Sequence, residues 1–273
     1  MHDTPLDDAS SAPQKPLAAN SNAMASAEDN AGGAVHKGLA TQRKVIPGIV
    51  SLLKAQLGLS QLHLCHRLDT GTSGCLCLAT NESMAAEIGA LFKTRAVSKY
   101  YLALSNSKPK KKQGTLIGDM KNRRSGQRIL LKTTENPAIT QFFSVSSKPG
   151  VRGFVVKPHT GKTHQIRVAL KSIGAPISGD TLYGGEKAER LNLHAWQLTL
   201  PLHSESLVVT APINTTVALF EEEAFTLCDY KDGFADPEIQ DWVATLQPPD
   251  DFPWPNLPKR FGAESKATIK ERS

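Results

Sequence analysis

Two short segments of this 273-residue chain carry side chains that could do chemistry together. The first is His66-Arg67-Leu68-Asp69, followed at once by Thr70-Gly71-Thr72-Ser73-Gly74. It sets a base and an acid two residues apart, between the apolar runs Leu62, Leu64, Cys65 and Cys75, Leu76, Cys77, Leu78. That pattern predicts two strands joined by a Gly-rich loop. A carboxylate at a strand end, held by scaffold on both sides, can be aimed as a nucleophile or general base; the plainer use of an Asp before Thr-Gly is to cap the turn. The second segment is His159-Thr160-Gly161-Lys162-Thr163-His164-Gln165-Ile166-Arg167-Val168, which follows apolar Phe154, Val155 and Val156. Thr163 suits a helix N-cap, Ile166, Val168, Ala169 and Leu170 supply apolar positions, and Gly174 suits the stop. Arg167 then falls about one turn into a short helix.

The flanking sequence must supply elements that hold these segments. Val50, Leu52, Leu53 and Leu57 recur at helical intervals and Gly58 can end that helix. Asn81 or Ser83 opens the next, with Met84, Ala85, Ile88, Leu91 and Phe92 as its inward stripe. Residues 100 to 104 read as a strand; residues 138 to 147 and 153 to 157 read as antiparallel neighbours turned at Pro149-Gly150, and residues 191 to 200 as a further strand ending at Pro201. Intermixed helices and strands with mostly short connections predict an α+β domain: a mixed, largely antiparallel sheet flanked by helices.

The net charge of +6 hides a segregation. Residues 41 to 220 hold 24 Lys and Arg against 9 Asp and Glu, a surplus of +15, while residues 221 to 273 hold twelve acids and six bases. Such a core favours a polyanionic partner, because each phosphate neutralised releases counterions. Lys108, Lys110, Lys111, Lys112, Lys121, Arg123, Arg124 and Arg128 crowd one Gly- and Asn-containing stretch, expected to be a loop or hairpin that meets phosphates. Residues 1–34 have almost nothing to bury and are expected to be a disordered tail. Residues 221–273 are expected to be an acidic, Pro-rich, partly disordered extension lying mostly outside the core, with an amphipathic piece at 239 to 246 and disorder over the last dozen residues. Cys65, Cys75, Cys77 and Cys228 include no C-x-x-C pair, which fits reduced thiols and a cytoplasmic location. No apolar run approaches the roughly 18 residues of a membrane span, and no membrane association is expected. The oligomeric state is not legible.

Together with Lys99-Tyr100-Tyr101 between them, the two segments resemble the RluA family of RNA pseudouridine synthases, which carry H-R-L-D, K-x-Y and G-[RK]-T-H-Q-I-R motifs in that order. The resemblance runs from about residue 45 to 202 and implies a pseudouridine synthase catalytic domain, here 35–220. It implies isomerisation of uridine in RNA, ribosomal or transfer, with no cofactor and no metal. The bond from uracil N1 to ribose C1′ breaks, the base turns, and it rejoins through C5. By the same resemblance Asp69 is the nucleophile or base and Arg167 the positive neighbour that keeps it ionised. Arg67 fills the space an extruded base leaves, Tyr101 stacks on the extruded ring, and Leu193 completes the apolar wall. Lys99, His66, Thr163 and Gln165 are expected to bind substrate. Whether Asp69 attacks C1′, adds to C6 or takes a proton from C2′ stays open. Extrusion itself is expected to cost a few kcal/mol.

Other chemistries fit less well. Gly161-Lys162-Thr163 ends like a phosphate-binding P-loop, but Val156 stands where that motif needs Gly. His159, His164, His194 and Cys65 lack metal-ligand spacing. The rival reading is a catalytically inactive RNA-binding protein of the same fold. The chain also departs from the family's pattern. A first strand with a K-P-x-G turn is missing or altered around residues 31 to 37, which is expected to leave a sheet edge uncovered. Lys162 replaces the commoner Arg, Ala169 stands where many relatives have His, and no accessory RNA-binding domain is expected within the roughly 40 leading residues.

Overall fold

The expected helix start at Asn81 is a good entry to the architecture. Its side chain accepts the Met84 N–H at 2.8 Å and opens a helix over Glu82–Lys93. In the computed structural model, which describes residues 48–202, 205–213 and 233–261, this is α2. It follows α1 (Ile49–Leu57), ended by Gly58 in the left-handed conformation at φ 63°, and precedes α3 (Gln165–Ser172) and α4 (Pro237–Ala244). Eleven strands among the described residues complete the fold: β1 (His63–Leu64), β2 (Ser73–Gly74), β3 (Leu78–Ala79), β4 (Ser98–Ser105), β5 (Gln113–Gly118), β6 (Met120–Asn122), β7 (Arg128–Leu130), β8 (Ala138–Lys148), β9 (Val151–Pro158), β10 (Leu193–Leu202) and β11 (Glu205–Thr210).

The main sheet runs β11-β10-β4-β9-β8-β5, antiparallel throughout, with β2 added in parallel beside β10. The strands expected at 100 to 104, 138 to 147, 153 to 157 and 191 to 200 are all in it, and the α+β class holds. Alternation along β4 sends neighbouring residues to opposite faces. Tyr101 and Ala103 join Phe142, Phe154, Val156 and Leu193 under α3, while Tyr100, Leu102 and Leu104 join Val155 and Trp196 on the other side. A further cluster, with Ile88, Leu198 and Leu200, seats α2.

Four expectations change. The runs flanking Asp69 form only the two-residue strands β1 and β3, and the loop between them contributes β2, whose partner β10 lies far along the chain. Gly74 makes that pairing possible: a Cβ there would stand 2.2 Å from the Ala195 carbonyl oxygen. The basic stretch from 108 to 128 is not all loop, since β5 forms a sheet edge and only β6 and β7 form the hairpin. Strand β10 runs through Pro201, which sits opposite Ser206 where the ladder tolerates a missing donor.

The described part of the C-terminal extension is packed rather than detached, which is the fourth change. Phe234 and Ile239 are fully buried against Tyr100, Leu102 and Val155, with Trp242 and Trp254 beside them. Gly153 of β9 gives Trp242 room, because a Cβ there would come within 2.5 Å of its ring. The Tyr100 hydroxyl donates to Asp250, and Lys157 lies 5.6 Å from the centre of the Trp254 ring. A handful of large apolar side chains within an acidic, Pro-rich background is enough to bind this segment to the sheet. Expectations for residues 1–34, the altered first strand at 31 to 37 and the last dozen residues fall outside the described residues.

Candidate active site

The three motifs converge on one cleft of about 380 Å³ beside the β4 face that carries Lys99 and Tyr101. Asp69 is the one acid lining it among the described residues, and Arg67, Lys93, Arg95, Lys99 and Lys162 are its cations. Asp69 sits in a turn closed by the Thr72 N–H donating to its carbonyl at 2.9 Å. Beyond that turn β2 is stitched to β10, and the Cys75 N–H reaches the Ala195 carbonyl at 2.8 Å. The acid is therefore held on a short tether to the same strand that contributes Leu193 to the cleft lining.

Every residue named from the sequence can be placed. Tyr101, half-buried, and Leu193, buried, line the cleft as expected of a stacking ring and an apolar wall. Burial, then the negative charge of Asp69, push the Tyr101 hydroxyl well above its ordinary range, so it stays protonated. Arg67 is exposed at the cleft mouth. Burial and then the neighbouring Arg95 lower the ammonium of Lys99 from its usual value. Thr163 lines the cleft but does not cap α3; the N-cap position belongs to His164, in the left-handed conformation at φ 59° and without a side-chain cap.

Two expected substrate contacts are already occupied by the protein. The Gln165 amide oxygen accepts from Thr160 Oγ1 at 2.7 Å and from the Lys162 N–H at 3.0 Å, and its nitrogen donates to the Ile139 carbonyl and to Thr140 Oγ1, both at 3.0 Å. With four bonds made, this amide shapes the loop that presents Lys162 and Thr163. His66 Nε2 accepts the Cys77 N–H at 3.0 Å, and the ring stacks on Phe92 at 4.6 Å. Burial, then the charge of Lys99, lower its pKa to about 4, so it is a neutral strut across the Asp69 loop.

Arg167 departs most from expectation. Its Nε and Nη2 donate to the two carboxylate oxygens of Asp180, each at 2.8 Å, so the fork closes on Asp180 and not on Asp69. Burial pulls the guanidinium pKa down, but the hydrogen bonds and charge of Asp180, and then the charge of Asp69, outweigh it and raise it. Arg167 is thus committed to Asp180. Tyr183 joins this cluster: its ring centre is 5.0 Å from the Arg167 guanidinium, and its hydroxyl accepts the Arg128 N–H at 3.0 Å and meets His164 Nδ1 at 2.9 Å. Burial, then Arg167, lower the His164 pKa. Asp180 and Tyr183 were not singled out from the sequence. The available signal was scarcity, since the basic core has only nine acids and one of them follows Ile177-Ser178-Gly179.

No group of three or more His, Cys, Asp or Glu able to hold a metal occurs among the described residues, and His194 is engaged by Ser73 Oγ and the Ala211 carbonyl. No helix of the described residues is long and apolar enough to cross a membrane.

Residues 42–172 match the family model described as RNA pseudouridylate synthase. The chain is 53% identical over 165 residues to an uncharacterized RNA pseudouridine synthase of Haemophilus influenzae, covering 60% of this chain and 74% of that one. It is 33% identical over 172 residues to the dual-specificity RNA pseudouridine synthase RluA of Escherichia coli, covering 59% and 78%. Among solved structures, human RNA pseudouridylate synthase domain containing 1 superposes with a TM-score of 0.51 at 29% identity, over 59% of this chain and 71% of that one. The chain belongs to the RNA pseudouridylate synthase family, enzymes that isomerise uridine to pseudouridine in RNA. Within that family its likeness is of the RluA kind, as its three ordered motifs imply.

Proposed function

We propose that Asp69 is the reactive carboxylate and that its target is a uridine extruded from a locally folded loop of ribosomal or transfer RNA. The observation that carries this reading is a single acid in a cleft rimmed by five cations, with an aromatic floor at Tyr101. A protein that only gripped phosphates would gain nothing from an anion there, whereas a carboxylate is the group a metal-free glycosidic isomerisation needs. The cleft of about 380 Å³ is the size of a site for one nucleotide-sized ligand. Lys93, Arg95 and Lys162 at its rim suit the flanking phosphates, while the exposed Arg67 can move into the gap left in the stack. Lys121, Arg123 and Arg124, all exposed, extend the basic surface along the β6–β7 hairpin.

In the reaction the N1–C1′ bond breaks, the C5–C1′ bond forms, the C5 proton leaves and N1 becomes protonated, so atoms and charge balance without an external reagent. Tyr101 retains the detached ring by stacking, and Leu193 opposes it. A cytoplasmic setting, suggested by reduced cysteines in apolar surroundings, fits this substrate.

The test is to incubate wild-type protein and Asp69→Asn with total RNA from cells lacking the gene, treat with carbodiimide, and map reverse-transcriptase stops. Stops made by the wild type and absent with Asp69→Asn, at unchanged RNA affinity, are expected. Identical stop patterns with the two proteins dismiss the reading and favour a silent RNA binder.

A further inference from the structure

We infer that Cys65 and Cys77 form a redox site at the base of the Asp69 loop: a peroxide closes the two thiols into a disulfide, and the closed form isomerises uridine more slowly. The covalent step stands apart from the reading of Asp69 given above, and its effect on rate rests on that reading.

Backbone pairing brings the two residues together. Strands β1 and β3 are antiparallel, with His63 opposite Ala79 and Leu64 opposite Leu78, and the next rung sets Cys65 opposite Cys77. There the Cys65 N–H donates to the Cys77 carbonyl at 3.1 Å. Residues facing one another at such a rung have Cα atoms about 5.5 Å apart, inside the span that a disulfide bridges, and their side chains leave the ladder on the same face. Both pack against the cluster of Ile88, Leu198 and Leu200, and their thiols share a hydrogen bond. Cys75 does not compete for either. Its N–H is bound to the Ala195 carbonyl, and its thiol is directed to the carbonyls of Val209 at 3.5 Å and Trp196 at 3.7 Å.

The chemistry runs from the cleft side. Cys65 is half-buried and lines the cleft, where a small oxidant reaches it, whereas Cys77 lies behind that lining. Burial raises both thiols, that of Cys77 to about 12, while the shared hydrogen bond works downward on Cys65, so Cys65 ionises first. Its thiolate takes one oxygen from hydrogen peroxide, giving a sulfenic acid and water. The Cys77 sulfur then attacks that sulfur and expels a second water. Two S–H bonds are lost, one S–S bond forms, and the two electrons removed from sulfur reduce the O–O bond. Raised thiol pKa values make both sulfurs poor leaving groups, so closure is slow and the product persistent.

The new bond is felt at the loop. The Cys77 N–H is given to His66 Nε2 at 3.0 Å rather than to the Cys65 carbonyl, so drawing Cys77 toward Cys65 works against that strut. Cys65, His66, Arg67 and Asp69 all line the cleft, and a shift at the base of the loop is carried into the site.

The experiment treats the full chain with excess hydrogen peroxide, blocks remaining thiols with iodoacetamide, digests with trypsin and fragments the linked peptides. Trypsin cuts after Arg67, so Cys65 leaves on one peptide and Cys75 with Cys77 on the next; fragmentation tells the last two apart. An intramolecular link between Cys65 and Cys77 is expected, retained in Cys75→Ser and lost in Cys77→Ser. If Cys77→Ser does not fold, fragmentation of the wild-type link decides alone. Reduced and oxidised wild type are then compared in single-turnover assays on total RNA from cells lacking the gene. The oxidised protein is expected to be about tenfold slower, in step with the linked fraction, and to recover when a phosphine reduces the disulfide. No link, a link to Cys75 or Cys228 in its place, or a linked protein at the reduced protein's rate would overturn the inference. A reduced wild type without activity sinks the reading of Asp69 and the effect on rate with it, while the link, read by mass, stands or falls by itself.

Discussion

The two faces of β4 are built from adjacent residues and do opposite work. Lys99 and Tyr101 open on a cationic cleft, whereas Tyr100 and Leu102 are sealed under Phe234, Ile239 and Trp254 from the C-terminal extension. On the cleft side ionisation is displaced by burial and like charge, as for Lys99. On the sealed side the polar groups are consumed, the Tyr100 hydroxyl by Asp250 and the Gln141 amide by the Pro255 carbonyl. Alternation at every second residue lets one strand present reactive groups forward while apolar burial behind keeps them from shifting.

This contrast can be broken from either side. Phe234→Ala, on the sealed face, is expected to cost about 3 to 5 kcal/mol of stability while the rate per folded molecule stays within about twofold. Urea melts paired with single-turnover assays check it, and a slowed but equally stable variant would erase the division of labour. The loop strut gives a pH signature. His66 is neutral when folded, with a pKa of about 4 against 6.5 for the free side chain. The unfolded chain thus takes up the proton first. Stability is complete above about pH 6.5 and falls as pH drops toward about 4, by at most about 3 kcal/mol. Melts at pH 7 and 4.5 should show the drop, and His66→Gln, which keeps an acceptor for Cys77, should show less of it.

On the cleft face Tyr101→Ala is expected to weaken handling of the flipped base by about 1 to 3 kcal/mol, read from single-turnover rates at limiting protein. Its melting midpoint should move far less than that of Phe234→Ala. The smallest effect belongs to the rim. Lys162→Ala should reduce the slope of log affinity against log salt by about 0.7, the share of one phosphate contact on single-stranded RNA. An unchanged slope would mean that Lys162 serves only the loop, where its ammonium already donates to Asn136 at 2.7 Å.

Legibility in the sequence followed the range of the interactions. Asn81 and Gly58 delimit helices through bonds made within a few residues, and both were readable. The motifs also announced the cleft, since Asp69, Lys99, Tyr101 and Thr163 do line one cavity. What stayed hidden depended on partners over a hundred residues away or on a few side chains outvoted by composition. Pairing of β2 with β10 cannot be seen in Ser73-Gly74 alone. The docking of Phe234 and Trp242 was masked by the acids and prolines around them. The acid on which Arg167 closes was not legible, because the resemblance speaks only of Asp69 as its neighbour, whereas Asp180 lies in a turn outside the three motifs. Thr163 and His164 differ by one position, and the left-handed backbone at His164 decided between them.

The Gly74 seam has a bearing on selectivity. Because β2 is hydrogen-bonded to the strand bearing Leu193, the loop that carries Asp69 and this part of the lining are joined through the main chain. The width of the slot is written in main-chain geometry. On that footing, a change in what the slot admits is expected to come from trimming side chains such as Leu193.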